Sequence, residues 1–385
     1  MRWSARTQWD LAETPWAAQL AQLRSAGAEL FDLTASNPTR CGFAYDAEAI
    51  LAPLKNSAAL EYEPDPRGLR RAREAVSLYY RDHAATVDPD RIFLTTSTSE
   101  AYSFLFRLLC DPGEEVLIGQ PGYPLFDFLA QLDDVRLVPY PLFYDHGWHL
   151  DLEALRRRVT SRTRAIALVH PNNPTGHFTR PSERAAIEEV CREHGLALIV
   201  DEVFLDYRVS ASHGQSFATG PHPVPTFVLS GLSKVAALPQ MKAAWVACFT
   251  ADLERLEVIS DTFLSMSAPI QHALPVWLNQ RGEIQDQVKH RLEANLGQLD
   301  QLLLRQTLVT RLEVEAGWYA LLRVPEVQAE ERLALDLLQK RAVVVHPGGF
   351  FGLSGQGWLV VTLLAPTPEF TAGIQAILQH FNGAI

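Results

Sequence analysis

Four short polar stretches each follow an apolar run of the sequence, and each carries side chains that could take part in catalysis. "RIFLTT" leads into a hydroxyl-rich run at residues 97–99, "AIALVH" into a turn that contains Asn173, "LALIV" into Asp201, and "TFVLSG" into a stretch with Lys234. Apolar runs with little polar alternation are typical of strands buried on both faces. Because ligands of open α/β sheets bind beyond the carboxyl ends of the strands, we expect these side chains to lie close together.

The residue types match the groups of one cofactor. A lysine at a buried strand end can lose its proton and form a Schiff base with an aldehyde. A carboxylate such as that of Asp201 is costly at the end of an apolar strand unless it meets a positive partner, and a protonated pyridine nitrogen would be one. Hydroxyls and N–H groups at a helix N-terminus suit a phosphate. Together they predict pyridoxal 5′-phosphate (PLP), although each motif alone is also typical of a helix N-cap, a tight turn, a loop cap or a surface lysine.

The elements that would position these residues alternate along the chain from about residue 91. The apolar runs "RIFLTT", "EEVLIGQ", "VRLVPY", "AIALVH", "LALIVDE", "TFVLSG" and "AAWVACF" predict strands, and segments such as "SERAAIEEVCREHG" between them have helical spacing. The pattern predicts an α/β fold with a mostly parallel sheet flanked by helices. A long amphipathic helix from about Glu283 is expected to lead into a smaller α+β portion.

Length and composition narrow the class of protein. The chain has 385 residues, enough for two domains, and its net charge of −11 argues against a general nucleic-acid binder. No apolar run reaches membrane-spanning length, and the N-terminus lacks the apolar stretch of a signal peptide. The four scattered cysteines predict reduced thiols in a cytoplasmic protein, and the twelve histidines show no metal-ligand spacing, so that no metal is expected.

A series of motifs extends these observations along the chain: "SNPT" (36–39), "YEPDPRGLRRAREAVSLYY" (62–80), "TTSTSEA", "DPGEEVLIGQPGYPLF", "HPNNPTG", "IVDEV" and "SGLSK". In type and order they resemble the motifs of the class I/II aminotransferases of PLP fold type I, over nearly the whole chain. The resemblance implies a large PLP-binding domain at residues 42–280. It also implies a small domain built from both chain ends, residues 1–41 and 281–385.

The resemblance implies a role for each matching residue around the cofactor ring. Lys234 would carry the internal aldimine and then move the proton between the substrate and the cofactor. Asp201 would pair with the pyridinium nitrogen, Tyr123 would stack on the ring, and Asn173 would contact both the ring 3′-oxygen and the substrate.

Further matching residues would bind the cofactor phosphate. Tyr62 would reach the phosphate of the neighbouring subunit, which makes a homodimer the expected assembly. Within one chain, the phosphate-binding residues implied by the resemblance are Ser97, Thr98, Ser99, Ser230 or Ser233, and Lys242.

The chain departs from the family pattern at residues around the cofactor. Phe204 stands where the family has a tyrosine that donates to the 3′-oxygen, and the loss of a donor is expected to raise the pKa of the imine. Whether Tyr207 replaces that donor stays open. Lys242 stands where the family has an arginine, and would bind phosphate as a point charge. Ser36 or Ala35, depending on the register, stands in place of the usual glycine of the early turn and would trim the substrate pocket.

The most consequential departure concerns the substrate carboxylate. The family has an arginine for this group on its C-terminal strand, and aligning "GQGWLVVTLLAP" places Val360 there. No arginine follows Arg341, so a small shift of register does not supply one. Two hypotheses follow: another cation, such as Arg323, Arg6 or Arg40, binds the carboxylate, or the amine substrate lacks a standard one.

The resemblance implies a PLP-dependent aminotransferase that moves an amino group from an amino acid to a 2-oxo acid by a ping-pong mechanism. The same scaffold also supports lyases, such as C–S lyases and decarboxylases, because the cofactor performs the chemistry and the pocket selects the bond. A PLP-sensing regulatory module is a third alternative, but no basic helix-turn-helix pattern precedes the first helix.

Overall fold

The computed structural model describes residues 2–209 and 214–382. Its strands are β1 (Phe31–Asp32), β2 (Ile92–Thr95), β3 (Glu115–Gln120), β4 (Arg136–Tyr144), β5 (Trp148–Leu150), β6 (Thr163–Val169), β7 (Ala197–Asp201), β8 (Thr226–Gly231), β9 (Ala244–Phe249), β10 (Thr310–Arg311), β11 (Tyr319–Arg323), β12 (Val343–Val344), β13 (His346–Pro347) and β14 (Trp358–Thr362). Its α-helices are α1 (Pro15–Ser25), α2 (Ala47–Leu51), α3 (Arg70–Asp82), α4 (Thr98–Leu109), α5 (Leu125–Leu132), α6 (Leu152–Arg158), α7 (Pro181–His194), α8 (Leu232–Val235), α9 (Glu254–Phe263), α10 (Ala268–Leu303), α11 (Glu330–Arg341) and α12 (Thr367–Asn382).

Eight of these described strands form one mixed sheet, in the order β2-β9-β8-β7-β6-β3-β4-β5. The neighbours from β8 to β4 run parallel to one another. The strand β9 pairs antiparallel with both β2 and β8, and β5 pairs antiparallel with β4. The predicted α/β fold with a mostly parallel sheet is confirmed. The three-residue strand β5 was not predicted, because so short a segment carries no periodic signal.

The central strands are apolar throughout because each of their faces packs into a separate core. In β7, Leu198 and Val200 join a core that includes residues of α3 and α10. The intervening residues, Ala197 and Ile199, join a second core that includes residues of α4. Since helices cover both faces, no solvent-facing position interrupts the strand, and Asp201 is its first charged residue.

A smaller antiparallel sheet lies C-terminal to the large one, in the order β10-β11-β14-β13. The chain ends meet beside it: β1 pairs parallel with β12, Phe31 opposite Val343, and α1 packs on α11. A third core joins residues of these strands to residues of α10 and α12.

The two sheets are connected by α10, which has 36 residues. It begins at Ala268, well before the predicted start near Glu283, and continues through Pro275. A proline inside a helix removes one hydrogen bond; here the buried side chains of Leu274 and Trp277 on the same turns offset that loss. Among the described residues, no helix is both long and apolar enough to cross a membrane.

Candidate active site

A cavity of about 250 Å³ lies where β6, β7 and β8 end. These ends are neighbours, since Asp201 pairs with Val169 on one side and with Leu229 on the other. Polar side chains that follow the three strands therefore meet in one space. The predicted site residues that line the cavity are Ser36, Ser97, Thr98, Ser99, Tyr123, Asn173, Asp201, Phe204, Ser233, Lys234 and Lys242.

Asp201 is a buried carboxylate with few partners. Its Oδ1 accepts a hydrogen bond from the backbone N–H of Val203 at 3.1 Å, and the hydroxyl of Tyr102 lies beside it. Burial raises the pKa of Asp201 from 3.8 to about 6, against the opposing effects of the hydrogen bond from Val203, the positive charge on Lys234 and the neighbouring Tyr102 hydroxyl. A cation beside this carboxylate would stabilise its charged form.

Lys234 lies in the short helix α8 and points into an apolar environment. Its Nζ is 5.1 Å from the ring centroid of Trp318 and 5.9 Å from that of Phe204. Burial lowers the pKa of Lys234, and the charge of Asp201 only partly opposes this. A lowered pKa increases the fraction of neutral amine, which is the form that can attack an aldehyde.

The turn after β6 contains two asparagines. One is hydrogen-bonded within the turn, and the other lines the cavity. Asn172 is bonded within the turn, where its Oδ1 accepts from the Thr175 hydroxyl at 2.8 Å. Gly176 adopts a φ of +74°, and a Cβ there would lie 2.3 Å from the carbonyl oxygen of Ala316, so only glycine fits. The adjacent Asn173 is held by this rigid turn, and its buried Oδ1 has no hydrogen-bond partner among the described residues. An unpaired buried amide is expected to meet a ligand.

The N-terminus of α4 also borders the cavity. Ser97 is the helix N-cap, since its Oγ accepts from the N–H of Glu100 at 3.1 Å, while Glu100 accepts from the N–H of Thr96 at 2.7 Å. The capping role that the sequence left as an alternative is therefore present. The first-turn residues of α4 also line the cavity together with Lys242. A helix N-terminus with a nearby cation suits an anion.

Three predicted site residues lie outside this cavity. Ser230 is fully buried in β8, and its hydroxyl has no hydrogen-bond partner among the described residues. Tyr62 is 82% exposed and lines a different cavity of about 360 Å³. Arg323, which was predicted to bind substrate, forms an ion pair with Glu326 and packs over the ring of Trp358 at 4.4 Å. The structure thus does not bring Arg323 to the cavity, because Tyr319 occupies the end of β11 that reaches it.

The two N-terminal arginines considered for the substrate also lie outside the cavity lining. Arg6 forms an ion pair with Asp134, which follows α5. Arg40 is exposed in a short 3-10 turn four residues beyond Ser36. The hypothesis that one of these cations binds the carboxylate therefore has no support from the described geometry.

The sequence did not predict the positions of three tyrosines at or near the cavity. Tyr102 lines the cavity next to Asp201, and its position one helical turn after Thr98 could have indicated this. Tyr319 also lines the cavity, and its place in an apolar strand gives no signal that distinguishes it from a core residue. Tyr207 does not replace the donor lost at Phe204, because its hydroxyl donates to the backbone carbonyl of Lys234 at 2.6 Å.

The chain belongs to the aminotransferase class I and II family, whose sequence model matches residues 43–377. A glutamate–pyruvate aminotransferase of Haemophilus influenzae is 25% identical over 365 residues, which cover 91% of this chain and 90% of that protein. Two solved structures share the fold with a TM-score of 0.87. An aminotransferase from Escherichia coli is 21% identical and covers 100% of this chain and 98% of its own. An alanine aminotransferase from Pyrococcus furiosus is 22% identical, and the match covers 99% of this chain and 100% of that protein.

These findings confirm the predicted family, fold and enzyme class, with PLP as the cofactor and amino-group transfer between an amino acid and a 2-oxo acid as the reaction. Nothing in them supports the lyase alternative. The cavity also fits PLP on chemical grounds. It offers a buried amine at Lys234, a carboxylate without a strong partner at Asp201, an unpaired amide oxygen at Asn173 and the N-terminus of α4.

Proposed function

We propose that this chain transfers the amino group of small or apolar amino acids, such as alanine, with Lys234 as the reacting lysine. The observation that carries the proposal is the position of Lys234, a buried amine that lines one cavity with Asp201 and the N-terminus of α4. The apolar residues of the cavity support a small or apolar donor: Leu125, Phe126, Leu129, Val169 and Val203. Alanine is also the substrate in the name of the Pyrococcus furiosus protein, whereas the name of the Haemophilus influenzae relative gives glutamate and pyruvate.

Each polar residue of the cavity has a role in this proposal. PLP, when bound, supplies an electron sink for the bond broken at the α-carbon. The amine of Lys234 takes up the proton that the α-carbon releases, and its lowered pKa makes the neutral base available. Asp201 stabilises positive charge on the ring nitrogen, and the amide of Asn173 orients the ring oxygen and the substrate. Tyr123 packs on the ring.

The remaining polar residues hold the phosphate. We assign this role to the N-terminus of α4 and to Lys242, whose charge complements the anion. The hydroxyl-bearing residues in this group are Ser97, Thr98, Ser99 and Ser233. Phe204 adds an apolar wall next to Lys234 and contributes no donor to the ring.

A panel of amino donors tests this proposal. The PLP-loaded protein is mixed with alanine, leucine, aspartate or glutamate, and formation of the 2-oxo product is measured. We expect kcat/KM for alanine to exceed that for aspartate at least about tenfold, because burying a second carboxylate without a cation is costly. A preference for glutamate or aspartate would contradict the proposed donor class.

We propose that two copies of the chain complete the site, with Tyr62 reaching the phosphate bound by the other copy. The support is the exposure of Tyr62 and its place in a cavity lined also by Ser265, Ser267 and His272, apart from the cavity of its own Lys234. A side chain that is exposed in one copy but needed for cofactor binding would act across a two-fold axis.

Mixing two variants tests this arrangement. Tyr62→Phe is expected to weaken PLP binding about tenfold by removing a hydrogen bond to a charged group. When it is mixed with Lys234→Ala, mixed dimers would contain one site with both native residues, so that sites of native PLP affinity and activity return. If Tyr62 acts within its own chain, no such site forms. The mixture then binds PLP as weakly, and is as inactive, as the separate variants.

Two coarser features belong to the same proposal. We propose the division into a large unit at 42–280 and a small unit at 1–41 with 281–385, which agrees with the positions of the two sheets although α10 crosses the boundary. We also propose a cytoplasmic location, because the four cysteines are free thiols, as is typical of a reducing compartment.

A further inference from the structure

The strand that carries the family's carboxylate-binding arginine has no cation in this chain. Side chains alternate along β14, so that Leu359 and Val361 join the core of the small sheet while Val360 joins a core of the large sheet. Val360 is fully buried, opposite Leu321 of β11. The hydroxyl of Thr362, on the same face as Val360, donates to the carbonyl oxygen of Ala35 at 2.7 Å. The side chains on this face of β14 are therefore either apolar or already hydrogen-bonded.

The cations of the cavity already have roles in the proposed function. Within residues 2–209 and 214–382, the lysines and arginines that line the cavity are Lys234 and Lys242. The proposed function assigns the first to the reacting amine and the second to the cofactor phosphate. Arg323, on the same face of the small sheet as Val360, is held by Glu326 and by the carbonyl oxygen of Gln356. Among the described residues that line this cavity, a substrate carboxylate thus meets no uncommitted guanidinium.

Two neutral hydroxyls border the cavity at this position instead. Tyr319 lies on β11 opposite Thr362, and Ser36 follows Ala35 in the early turn. Burial raises the pKa of Tyr319 to about 12, although the adjacent Ser36 hydroxyl lowers it. Tyr319 is therefore a neutral hydrogen-bond donor at any physiological pH. Both residues line the cavity.

The chemistry of the donors determines which α-substituents they can bind. A guanidinium binds a carboxylate through two parallel charge-assisted hydrogen bonds, which are about twice as strong as neutral ones, and it rejects neutral groups accordingly. A pair of hydroxyls can donate to a carboxylate, and can also bond to a carboxamide or a hydroxymethyl group. Because a hydroxyl also accepts, it satisfies the N–H or O–H of these neutral groups.

We propose that the hydroxyls of Ser36 and Tyr319 bind the α-substituent of the amino donor in place of a guanidinium. The site then takes primary amines whose α-substituent is a neutral hydrogen-bonding group, a carboxamide or a carbinol, in addition to α-carboxylates. This inference rests on the proposed aminotransferase function and extends its substrate class.

Three donors that differ only in the α-substituent test the substrate class. The PLP-loaded protein is given alanine, alaninamide or 2-aminopropan-1-ol, and kcat/KM is measured for each. We expect kcat/KM for alanine to exceed that for either neutral donor by less than about 30-fold. A difference of this size is what two hydrogen bonds contribute when their acceptor is charged instead of neutral. A larger preference overturns the inference while leaving the proposed function intact. Failure of all three donors, and of the other amino acids, would contradict the proposed function itself.

Two variants test the residues. Ser36→Ala and Tyr319→Phe each remove one hydroxyl, and each is expected to raise KM for the three donors about three- to tenfold with little change in kcat. As controls, Ser25→Ala removes a hydroxyl on α1, and Tyr140→Phe removes a buried hydroxyl of β4 outside this cavity. Both controls should keep the native KM.

Binding of unreactive ligands gives a readout independent of turnover. Calorimetry of the PLP-loaded protein with propanoate and with propanamide should give dissociation constants within about 30-fold of each other. Both should weaken in Ser36→Ala and in Tyr319→Phe. Tight binding of propanoate alone, unchanged in both variants, would show that a cation elsewhere binds the carboxylate and would overturn the proposal.

Discussion

Replacing Lys234 with alanine is expected to lower the rate of amino-group transfer by about 10⁴-fold or more, because one side chain supplies both the reacting amine and the base. The amine is buried near Asp201, and burial lowers its pKa, so no other described side chain of the cavity offers an equivalent group. Lys242 also lines the cavity, but the proposed function assigns it to the cofactor phosphate. The rate is measured with alanine and a 2-oxo acid at saturating PLP.

The covalent link of the cofactor provides the matching readout. Borohydride reduction of the native protein should fix PLP on the peptide that contains Lys234, and mass spectrometry should find none on Lys234→Ala. Lys340→Ala is a suitable control, since that lysine lies on α11 in an ion pair with Asp336. Retained transfer activity in Lys234→Ala, or PLP fixed on another lysine of the native protein, would show that the reacting lysine has been assigned incorrectly.

Replacing Asp201 with asparagine is expected to lower kcat about 10³-fold while leaving the fold intact. The amide keeps the size of the side chain and can accept the hydrogen bond from Val203, but it carries no charge to stabilise a protonated ring nitrogen. PLP should still bind to the variant. A kcat within a few-fold of the native value would contradict the role given to Asp201.

The stability of the PLP-free protein tests the same carboxylate without turnover. The folded protein holds the proton of Asp201 more tightly than the unfolded chain, because burial raises its pKa from 3.8 to about 6. This group therefore lowers the free energy of unfolding as the pH rises from about 4 to about 6. At pH 7, PLP-free Asp201→Asn should be more stable than the native chain by roughly 3 kcal/mol, and the difference should disappear near pH 4. Denaturation at both pH values measures this difference in the free energy of unfolding. A variant that is less stable than the native chain at pH 7 would contradict the raised pKa of Asp201.

The sequence predicts much of the site because the site depends on strand ends. Apolar runs that end abruptly in a polar residue marked the ends of the parallel strands, and such ends meet at one edge of the sheet. Asn173, Asp201 and Lys234 therefore come together as predicted. The order of the strands in the sheet could not be derived from the apolar runs themselves, since every central strand is buried on both faces and gives the same pattern.

The predictions that differ from the structure depend on tertiary orientation. Arg323 and Tyr319 lie at opposite ends of β11, and nothing in their spacing says which end borders the cavity. Ser230 and Ser233 were left as alternatives; Ser233 lines the cavity because it follows the strand, whereas Ser230 lies within it. The early start of α10 depends on the burial of Trp277 in the core of the large sheet, a long-range contact without a local signal.

A single-turnover reaction distinguishes amino-group transfer from lyase chemistry. The PLP-loaded protein is mixed with a small excess of alanine and no 2-oxo acid, and the absorbance of the cofactor is followed together with the products. We expect each active site to form one pyruvate, release no ammonia, retain the amino group on the cofactor, and then react with one added 2-oxo acid. Continued formation of pyruvate with release of ammonia, or no change in the cofactor with any amino donor, would contradict amino-group transfer.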